Sequence, residues 1–221
     1  MCGRFTLFRP VEKLRESVLS VPGVREVLFP EGPPPPRYNC APSSTIAAVD
    51  LGQSGQAVVA PARWGLIPPW KRDLLGPPLF NARAETVREK PSFREAFATQ
   101  RCVIPMDGYY EWKDKKPYFI SYADGELMWA AALFSTALQQ LSVTIITTAA
   151  MPPMEWLHHR MPRLLTQEEL LPWTQGSASE ATQMLHPSPE GLREKMEARR
   201  VSSAVGKVSH DDPSLIQPVS H

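Results

Sequence analysis

Short apolar blocks, rich in β-branched and aromatic residues and separated by turn-forming residues, recur through the middle of the chain. Blocks of this kind are typical of β-strands. Because so many short strands follow one another, the pattern indicates a curved sheet or a barrel. The predicted strands are Thr45–Val49, Ala57–Ala62, Cys102–Pro105, Gly108–Trp112, Tyr118–Tyr122, Met128–Leu133 and Val143–Thr148.

A helical spacing of apolar residues occurs near the start of the chain. Val11, Leu14 and Val18 lie three and four residues apart, which predicts one helix that has Pro10 in its first turn and ends before Pro22. The run of four prolines that comes next must be extended, since proline fixes its own φ and disfavours helix in the residue before it. It forms either an ordered crossing loop or a flexible one.

Helices later in the chain are predicted from their first residues. Thr166 and Ser177 are each followed three residues later by a glutamate, the pattern of a capping box at a helix N-terminus. A further helix is predicted at Ser92–Thr99, whereas Leu192–Arg200 fits a helix or a strand. Strands and helices together indicate the mixed α+β class.

Length and composition favour one domain. The 221 residues, 43% of them hydrophobic, suffice for one well-buried core, but they make a short chain for two independent enzyme domains. No internal repeat and no change in composition marks a boundary, so residues 1–221 are predicted to form a single domain. The 24 prolines indicate many ordered loops.

Charge and cysteine content limit the function classes. With a formal net charge of +1, any contact with nucleic acid must come from a local basic cluster. Cys2, Cys40 and Cys102 form no C-x-x-C pair and are an odd number, which argues against a disulfide framework and a structural zinc site. No secretion signal or apolar membrane span is recognisable. We therefore expect a cytoplasmic, nucleoid-associated protein.

The second residue of the chain carries a distinctive chemical possibility. Removal of Met1 would leave Cys2 with its thiol and a free α-amine on one carbon frame. A terminal amine titrates near ~7.7–8.0, so a substantial minority is neutral and nucleophilic at cellular pH. An aldehyde captured as an imine could then be attacked by the thiol to close a thiazolidine ring. The dipeptide alone is equally that of an ordinary chain start.

Glu111 lies within an aromatic segment predicted to be a strand. Tyr110 and Trp112 share one face of that strand, so the Glu111 carboxylate points to the other face. If that face is buried, the carboxyl group could take a proton from the terminal amine or thiol and return it to a departing hydroxyl. The alternative is a solvent-facing glutamate paired with a lysine.

Two further segments concentrate polar side chains. His158 could move protons at physiological pH, and Arg160 could bind a phosphate or carboxylate through two hydrogen bonds. Adjacent histidines before a proline are also common in plain surface loops. Asn81 and Arg83 alternate with alanines, so both could face one surface; alternatively they make turn hydrogen bonds or a salt bridge with Glu85.

Basic residues are interspersed with tryptophans and prolines in a mixture that grooves for single-stranded nucleic acid use. They could equally be ordinary surface residues. No P-loop, dinucleotide glycine motif, G-x-S-x-G elbow or H-E-x-x-H helix is present, which argues against phosphoryl transfer, hydride transfer and zinc proteolysis. The residues of this mixture are Arg37, Arg63, Trp64, Trp70, Lys71, Arg72, Arg83, Arg88 and Arg163.

Six motifs follow one another along the chain: Met1–Phe5, Arg37–Pro42, Trp64–Pro68, Asn81–Thr86, Gly108–Trp112 and His158–Pro162. Together they resemble the SOS-response-associated peptidase family, and the resemblance extends to Pro218. It implies an α+β domain built around a strongly curved, barrel-like antiparallel sheet flanked by helices. Proteins of this family shield abasic sites in single-stranded DNA by a covalent crosslink through the N-terminal cysteine.

The resemblance also implies roles for individual residues. Cys2 would form the crosslink as a thiazolidine, Asn81 would hold Cys2 by hydrogen bonding, Glu111 would transfer protons, and His158 would act as acid and base near the sugar. The implied DNA-binding residues are Arg4, Arg37, Trp64, Trp70, Lys71, Arg83 and Arg160.

This chain departs from the family pattern in two places. Lys71 follows Trp70 where the family often has a second aromatic residue, so a wedge that separates DNA strands could be altered. His159 stands where an acidic residue is frequent, which leaves the proton network around His158 open.

The implied partner is single-stranded DNA with abasic sites, including junctions of single-stranded with double-stranded DNA. We expect a monomer that uses no cofactor, metal or membrane. Two alternatives remain: a cysteine peptidase in which Cys2 attacks a peptide carbonyl with His158 as base, and a noncovalent single-strand-binding module whose cysteine is incidental.

Overall fold

The computed structural model describes residues 3–52 and 54–219, and within them the chain forms thirteen strands and five α-helices. The strands are β1 (Arg4–Leu7), β2 (Glu26–Leu28), β3 (Arg37–Cys40), β4 (Thr45–Leu51), β5 (Gln56–Trp64), β6 (Asn81–Arg83), β7 (Arg101–Met106), β8 (Gly108–Lys113), β9 (Lys116–Tyr122), β10 (Met128–Ala137), β11 (Gln140–Ala149), β12 (Arg160–Pro162) and β13 (Met196–Arg200). The helices are α1 (Val11–Leu19), α2 (Arg94–Thr99), α3 (Gln167–Gln175), α4 (Ala178–Gln183) and α5 (Glu190–Glu194).

Eight of the strands form the larger sheet: seven follow the order β12-β11-β10-β7-β4-β5-β2, and β6 pairs with β11 off this path. This sheet curves until β5 also pairs with β11, so that β11, β10, β7, β4 and β5 close into a five-stranded barrel. The pairs within the barrel are antiparallel, except at the closure, where β5 and β11 run parallel with Val143 opposite Trp64. The predicted barrel-like antiparallel sheet is therefore confirmed, with one parallel pair completing it.

The smaller sheet is antiparallel throughout, in the order β13-β9-β8-β1-β3. Within this sheet, β1 pairs with β8, the strand that carries Glu111. Gly108 at the beginning of β8 has no room for a side chain, because an added Cβ would lie 2.5 Å from the carbonyl oxygen of Ile120 on β9. Glycine thus lets these strands approach one another.

Both sheets share one hydrophobic core. Phe5 and Ile120 of the smaller sheet belong to the same buried cluster as Val103 and Ile145 of the barrel. All six residues of β7 are buried, since one face fills the barrel and the other is covered by helices. From α3, the indole of Trp173 donates a hydrogen bond of 2.9 Å to the Cys102 carbonyl on this strand.

The seven predicted strands are confirmed, most of them longer than predicted, and the predicted helices are confirmed as well. Both capping boxes form, at Thr166 and Ser177. The ambiguous segment Leu192–Arg200 divides, with its beginning in α5 and its end in β13. The strands that the sequence pattern missed, β1, β2, β3, β6 and β12, are each only three or four residues long. Among the described residues, no helix has the length and apolar character needed to cross a bilayer.

Candidate functional site

The smaller sheet brings the beginning of the chain to Glu111. Arg4 lies opposite Tyr110 and Phe5 opposite Tyr109 in the antiparallel pair of β1 and β8. Because the strands run in opposite directions, the chain enters β1 from the end of β8 at which Glu111 stands. Cys2 lies outside the described residues.

Glu111 and His158 form the central pair of the site. The Glu111 side chain is buried, with 6% of its surface exposed, and its Oε2 lies 4.0 Å from Nδ1 of His158. A solvent-facing glutamate paired with a lysine, the alternative that the sequence left open, is therefore wrong. The ammonium group of Lys113 instead donates a hydrogen bond to the Trp156 carbonyl at 2.6 Å.

The state of His158 follows from its surroundings. The backbone N–H of Arg160 donates to Nδ1 at 2.9 Å, and the Arg160 carbonyl oxygen lies 3.2 Å from the same atom. We assign the neutral tautomer with its proton on Nε2, because the contact in which Nδ1 accepts is the shorter of the two. Burial lowers the pKa of His158, because it disfavours the cation, while the charge of Glu111 acts in the opposite direction. The ring is therefore mainly neutral at pH 7, stacked on His159 with 4.3 Å between the ring centroids.

The segments that carry Asn81 and His158 both pair with, or directly precede a strand that pairs with, the barrel strand β11. Asn81 begins β6, which runs parallel to β11 with Asn81 opposite Ile145. His158 lies just before β12, which pairs with residues 147–149 of the same strand, with Pro162 opposite Thr147. The end of β11 thus carries both segments that the sequence singled out.

Trp64 links the barrel to β1. Its ring is fully buried, 5.1 Å edge-to-face from Phe5 and 5.9 Å from Phe80, and its indole donates to the Phe80 carbonyl at 2.9 Å. Phe80 directly precedes Asn81, so Trp64 holds β6 against the strand that begins at Arg4. The expectation that Trp64 contacts DNA is corrected, because its ring has no surface that DNA could reach.

Three of the arginines expected to bind phosphate have partners inside the fold. Arg4 donates to Asn39 at 2.9 Å and to the carbonyl of Val205 at 2.5 Å. Arg37 forms an ion pair with Asp211.

Arg160 is the third of these arginines. Its guanidinium donates to both carboxylate oxygens of Glu85, at 2.6 and 3.0 Å, and to the Thr147 carbonyl at 2.6 Å. Of the two ligands that the sequence left open for this fork, a phosphate or a carboxylate, the structure shows a carboxylate of the same chain. The sequence suggested a salt bridge between Arg83 and Glu85, but the partner of Glu85 in the structure is Arg160.

The other expected DNA-binding residues lie at the surface. Arg83 is exposed at the end of β6, two residues after Asn81. Trp70 is 58% exposed on the loop of residues 68–78, and Leu75 on the same loop is 77% exposed. Lys71 is half-buried and ties this loop together by donating from Nζ to the Leu75 carbonyl at 2.6 Å.

Sequence reasoning missed two aromatic residues beside Glu111. Tyr118 lies directly opposite Glu111 in the pairing of β8 with β9. Trp156, two residues before His158, packs edge-to-face on Tyr118 with 5.2 Å between the centroids. Its proximity to His158 in the sequence was the available signal.

The two described cysteines are poor candidates for chemistry. Cys40 and Cys102 are free thiols in the core, and burial raises the pKa of Cys40 to about 12 and also raises that of Cys102. Both are therefore protonated and unreactive at pH 7. Within residues 3–52 and 54–219, no three or more His, Cys, Asp or Glu side chains are grouped to hold a metal ion.

Comparison with known proteins supports one family assignment. The family described as SOS response associated peptidase (SRAP) matches residues 1–208. The abasic site processing protein YoqW of Bacillus subtilis is 36% identical over 98% of this chain and 99% of its own. The abasic site processing protein YedK of Escherichia coli is 32% identical over 99% of this chain and 100% of its own. A crystal structure of a protein from Bacteroides thetaiotaomicron has a TM-score of 0.79 and 26% identity, and covers 99% of this chain and 100% of that one. The chain therefore belongs to the SOS response associated peptidase family.

Proposed function

We propose that this protein processes abasic sites in single-stranded DNA, and that it shields them by forming a covalent crosslink through Cys2 once Met1 has been removed. The observation that carries the proposal is the buried Glu111–His158 pair, with 4.0 Å between Oε2 and Nδ1, at the end of β8 from which the chain enters β1. Relatives that match almost the whole chain are named abasic site processing proteins.

The reaction joins an aldehyde to a 1,2-aminothiol. The neutral α-amine of Cys2 adds to the C1′ aldehyde of the ring-opened sugar and gives a carbinolamine. Loss of one water, with a proton delivered to the departing hydroxyl, leaves an imine. The Cys2 sulfur then adds to the imine carbon, the nitrogen takes up the thiol proton, and a thiazolidine ring results.

Glu111 and His158 supply the proton transfers. We assign Glu111 to accept the proton from the amine or thiol and to return it to the departing hydroxyl, since it is the buried carboxylate at that end of β8. The neutral His158 ring, with its proton on Nε2, is suited first to donate a hydrogen bond to a sugar oxygen and then to recover that proton. Asn81 is assigned to hold Cys2 by hydrogen bonding.

Arg83 at the end of β6 and the loop of residues 68–78 that precedes this strand are the proposed DNA surface. Arg83 would bind a backbone phosphate, and Trp70 with Lys71 on the loop of residues 68–78 would contact bases or a junction with double-stranded DNA. Phosphate contacts of this kind make affinity dependent on salt. We propose that the protein acts as a monomer on DNA in the cytoplasm, where it would associate with the nucleoid.

The proposal is tested by mixing the mature protein with a uracil-containing single strand from which the uracil has been excised. A denaturation-resistant adduct is expected with the wild type and with the matched control Cys40→Ala, because the Cys40 thiol is buried and protonated. Cys2→Ala should form none. Adduct formation by Cys2→Ala at the wild-type rate, or turnover of a peptide library without any DNA adduct, contradicts the proposal.

A further inference from the structure

Trp156 is an exposed aromatic ring held in a fixed orientation at the edge of the site. It is 44% exposed, although a tryptophan gains most from burial. Tyr118 packs against it at 88° between the ring planes, and Lys113 Nζ lies 5.1 Å from the centre of its ring. A hydrogen bond from the same ammonium group to the Trp156 carbonyl fixes the backbone. The ring is thus prepared for contact without being covered.

The sheet register places this ring one side chain away from Glu111. Tyr118 is the cross-strand neighbour of Glu111, and Trp156 rests on Tyr118. Lys113 stands two residues after Glu111, on the same face of β8. Trp156 itself is two residues before His158. The ring is therefore linked to Glu111 through Tyr118 and to His158 through the chain.

The surroundings carry the charge that a nucleic acid requires. Lys113, Lys115 and Lys116 lie in the hairpin that joins β8 to β9, and the acidic residues near them in the sequence or beside Trp156 are Asp114 and the exposed Glu155. Aromatic rings next to cations bind single strands, because bases stack on the ring while phosphates pair with the cations. A protein partner would instead favour an extended apolar surface, whereas the ring of Trp156 is flanked by lysine.

We propose that Trp156, backed by Tyr118 and flanked by Lys113, is a stacking platform for the base next to the abasic site. This inference rests on the proposed function, since an abasic sugar at Glu111 has no base of its own and its neighbour in the strand is the first base within reach. Trp156 takes part in binding and selects a strand that keeps a base beside the lesion. It takes no part in the proton transfers.

The test uses single strands that carry a tetrahydrofuran abasic analogue, which lacks the aldehyde and cannot crosslink. The neighbouring nucleotide, first on the 5′ side and then on the 3′ side, is either a normal nucleotide or a second tetrahydrofuran. Removing the neighbouring base on one of the two sides should weaken binding to the wild type about 5- to 150-fold, the range for losing one stacked base. Trp156→Ala should bind more weakly by a similar factor and should be indifferent to that base.

Two variants serve as controls. Trp156→Phe keeps an aromatic face and should retain most of the dependence on the neighbouring base, whereas Glu155→Ala, a change at an exposed neighbour that leaves the ring in place, should keep the full wild-type dependence on that base. Equal dependence on the neighbouring base in the wild type and in Trp156→Ala overturns the inference. So does a self-association that Trp156→Ala abolishes while its affinity for DNA is unchanged, because the ring would then face a second copy.

Crosslinking to a natural abasic site separates this inference from the proposed function. If the wild type crosslinks normally and Trp156→Ala has wild-type affinity for every analogue, the platform is wrong and the function stands. If the wild type neither crosslinks nor binds the analogue strands, the proposed function fails and the platform fails with it.

Discussion

Replacing Arg160 by methionine should affect folding and leave DNA binding unchanged. The family resemblance implied a contact with DNA at this position, but the guanidinium is bound to Glu85 and to the Thr147 carbonyl, and the Arg160 side chain is only 9% exposed. Methionine preserves most of the packing volume and removes the charge and the hydrogen bonds.

The expected loss of stability follows from these two partners. The Thr147 carbonyl keeps a hydrogen bond from the Ala84 N–H at 2.9 Å, so the change removes one charge-assisted bond, worth about 1–2 kcal/mol. The Glu85 side chain is 53% exposed and becomes hydrated, which limits the value of the pair to at most about 1 kcal/mol. The free energy of unfolding should fall by about 2 kcal/mol in total. For a chain of this length, that corresponds to a melting temperature about 4–8 °C lower.

The assay pairs calorimetry with the salt dependence of binding to a tetrahydrofuran-containing single strand. Arg160→Met should melt earlier and keep the wild-type slope of log affinity against log salt. The exposed Arg83 provides the matched contrast. Arg83→Ala should leave the free energy of unfolding within about 0.5 kcal/mol of the wild-type value. Its slope of log affinity against log salt should become shallower by about 0.7, the value of one phosphate contact on a single strand. A wild-type melting temperature for Arg160→Met together with a reduced salt slope refutes this reasoning.

Three further predictions concern the site and its strand. Glu111→Gln and His158→Gln should slow adduct formation at least about tenfold in single-turnover kinetics while affinity for the tetrahydrofuran strand stays near normal, because both act in proton transfer. Since burial lowers the pKa of His158, the unfolded chain takes up this proton near pH 6.5 and the folded chain only at lower pH. The free energy of unfolding should therefore fall as the pH drops below about 6.5. In urea titrations at pH 7.5 and 5.5, His158→Gln should show a smaller difference in the free energy of unfolding between the two pH values than the wild type. An equal difference in both proteins contradicts a lowered pKa of His158. Gly108→Ala should destabilise the protein by about 1–3 kcal/mol or more in urea unfolding, because its Cβ meets the Ile120 carbonyl at 2.5 Å.

Local patterns predicted local structure well. The capping boxes at Thr166 and Ser177 and the spacing from Val11 to Val18 each involve groups within a few residues of one another, so the sequence alone suffices to recognise them. Strands of three or four residues such as β6 were missed, since they are too short to show a period of two and form only because β11 offers a partner.

Contacts between distant residues were beyond sequence reasoning. Arg4 finds the Val205 carbonyl 201 residues away, and Arg160 finds Glu85 75 residues away. A list of arginines does not distinguish those that are bound internally from those, like Arg83, that remain at the surface. The burial of Glu111 likewise depends on β9 and on the segment before β12, so the sequence could name the residue without deciding which face of the strand is covered.

The most direct test of the central claim is the intact mass of the crosslinked product, followed by mapping of the modified peptide. The account predicts a mass equal to that of the Met1-processed protein plus the abasic strand less one water, with both the α-amine and the thiol of Cys2 blocked to labelling reagents. A product that retains Met1, that is attached at another residue, or whose Cys2 thiol still reacts with an alkylating reagent contradicts the thiazolidine.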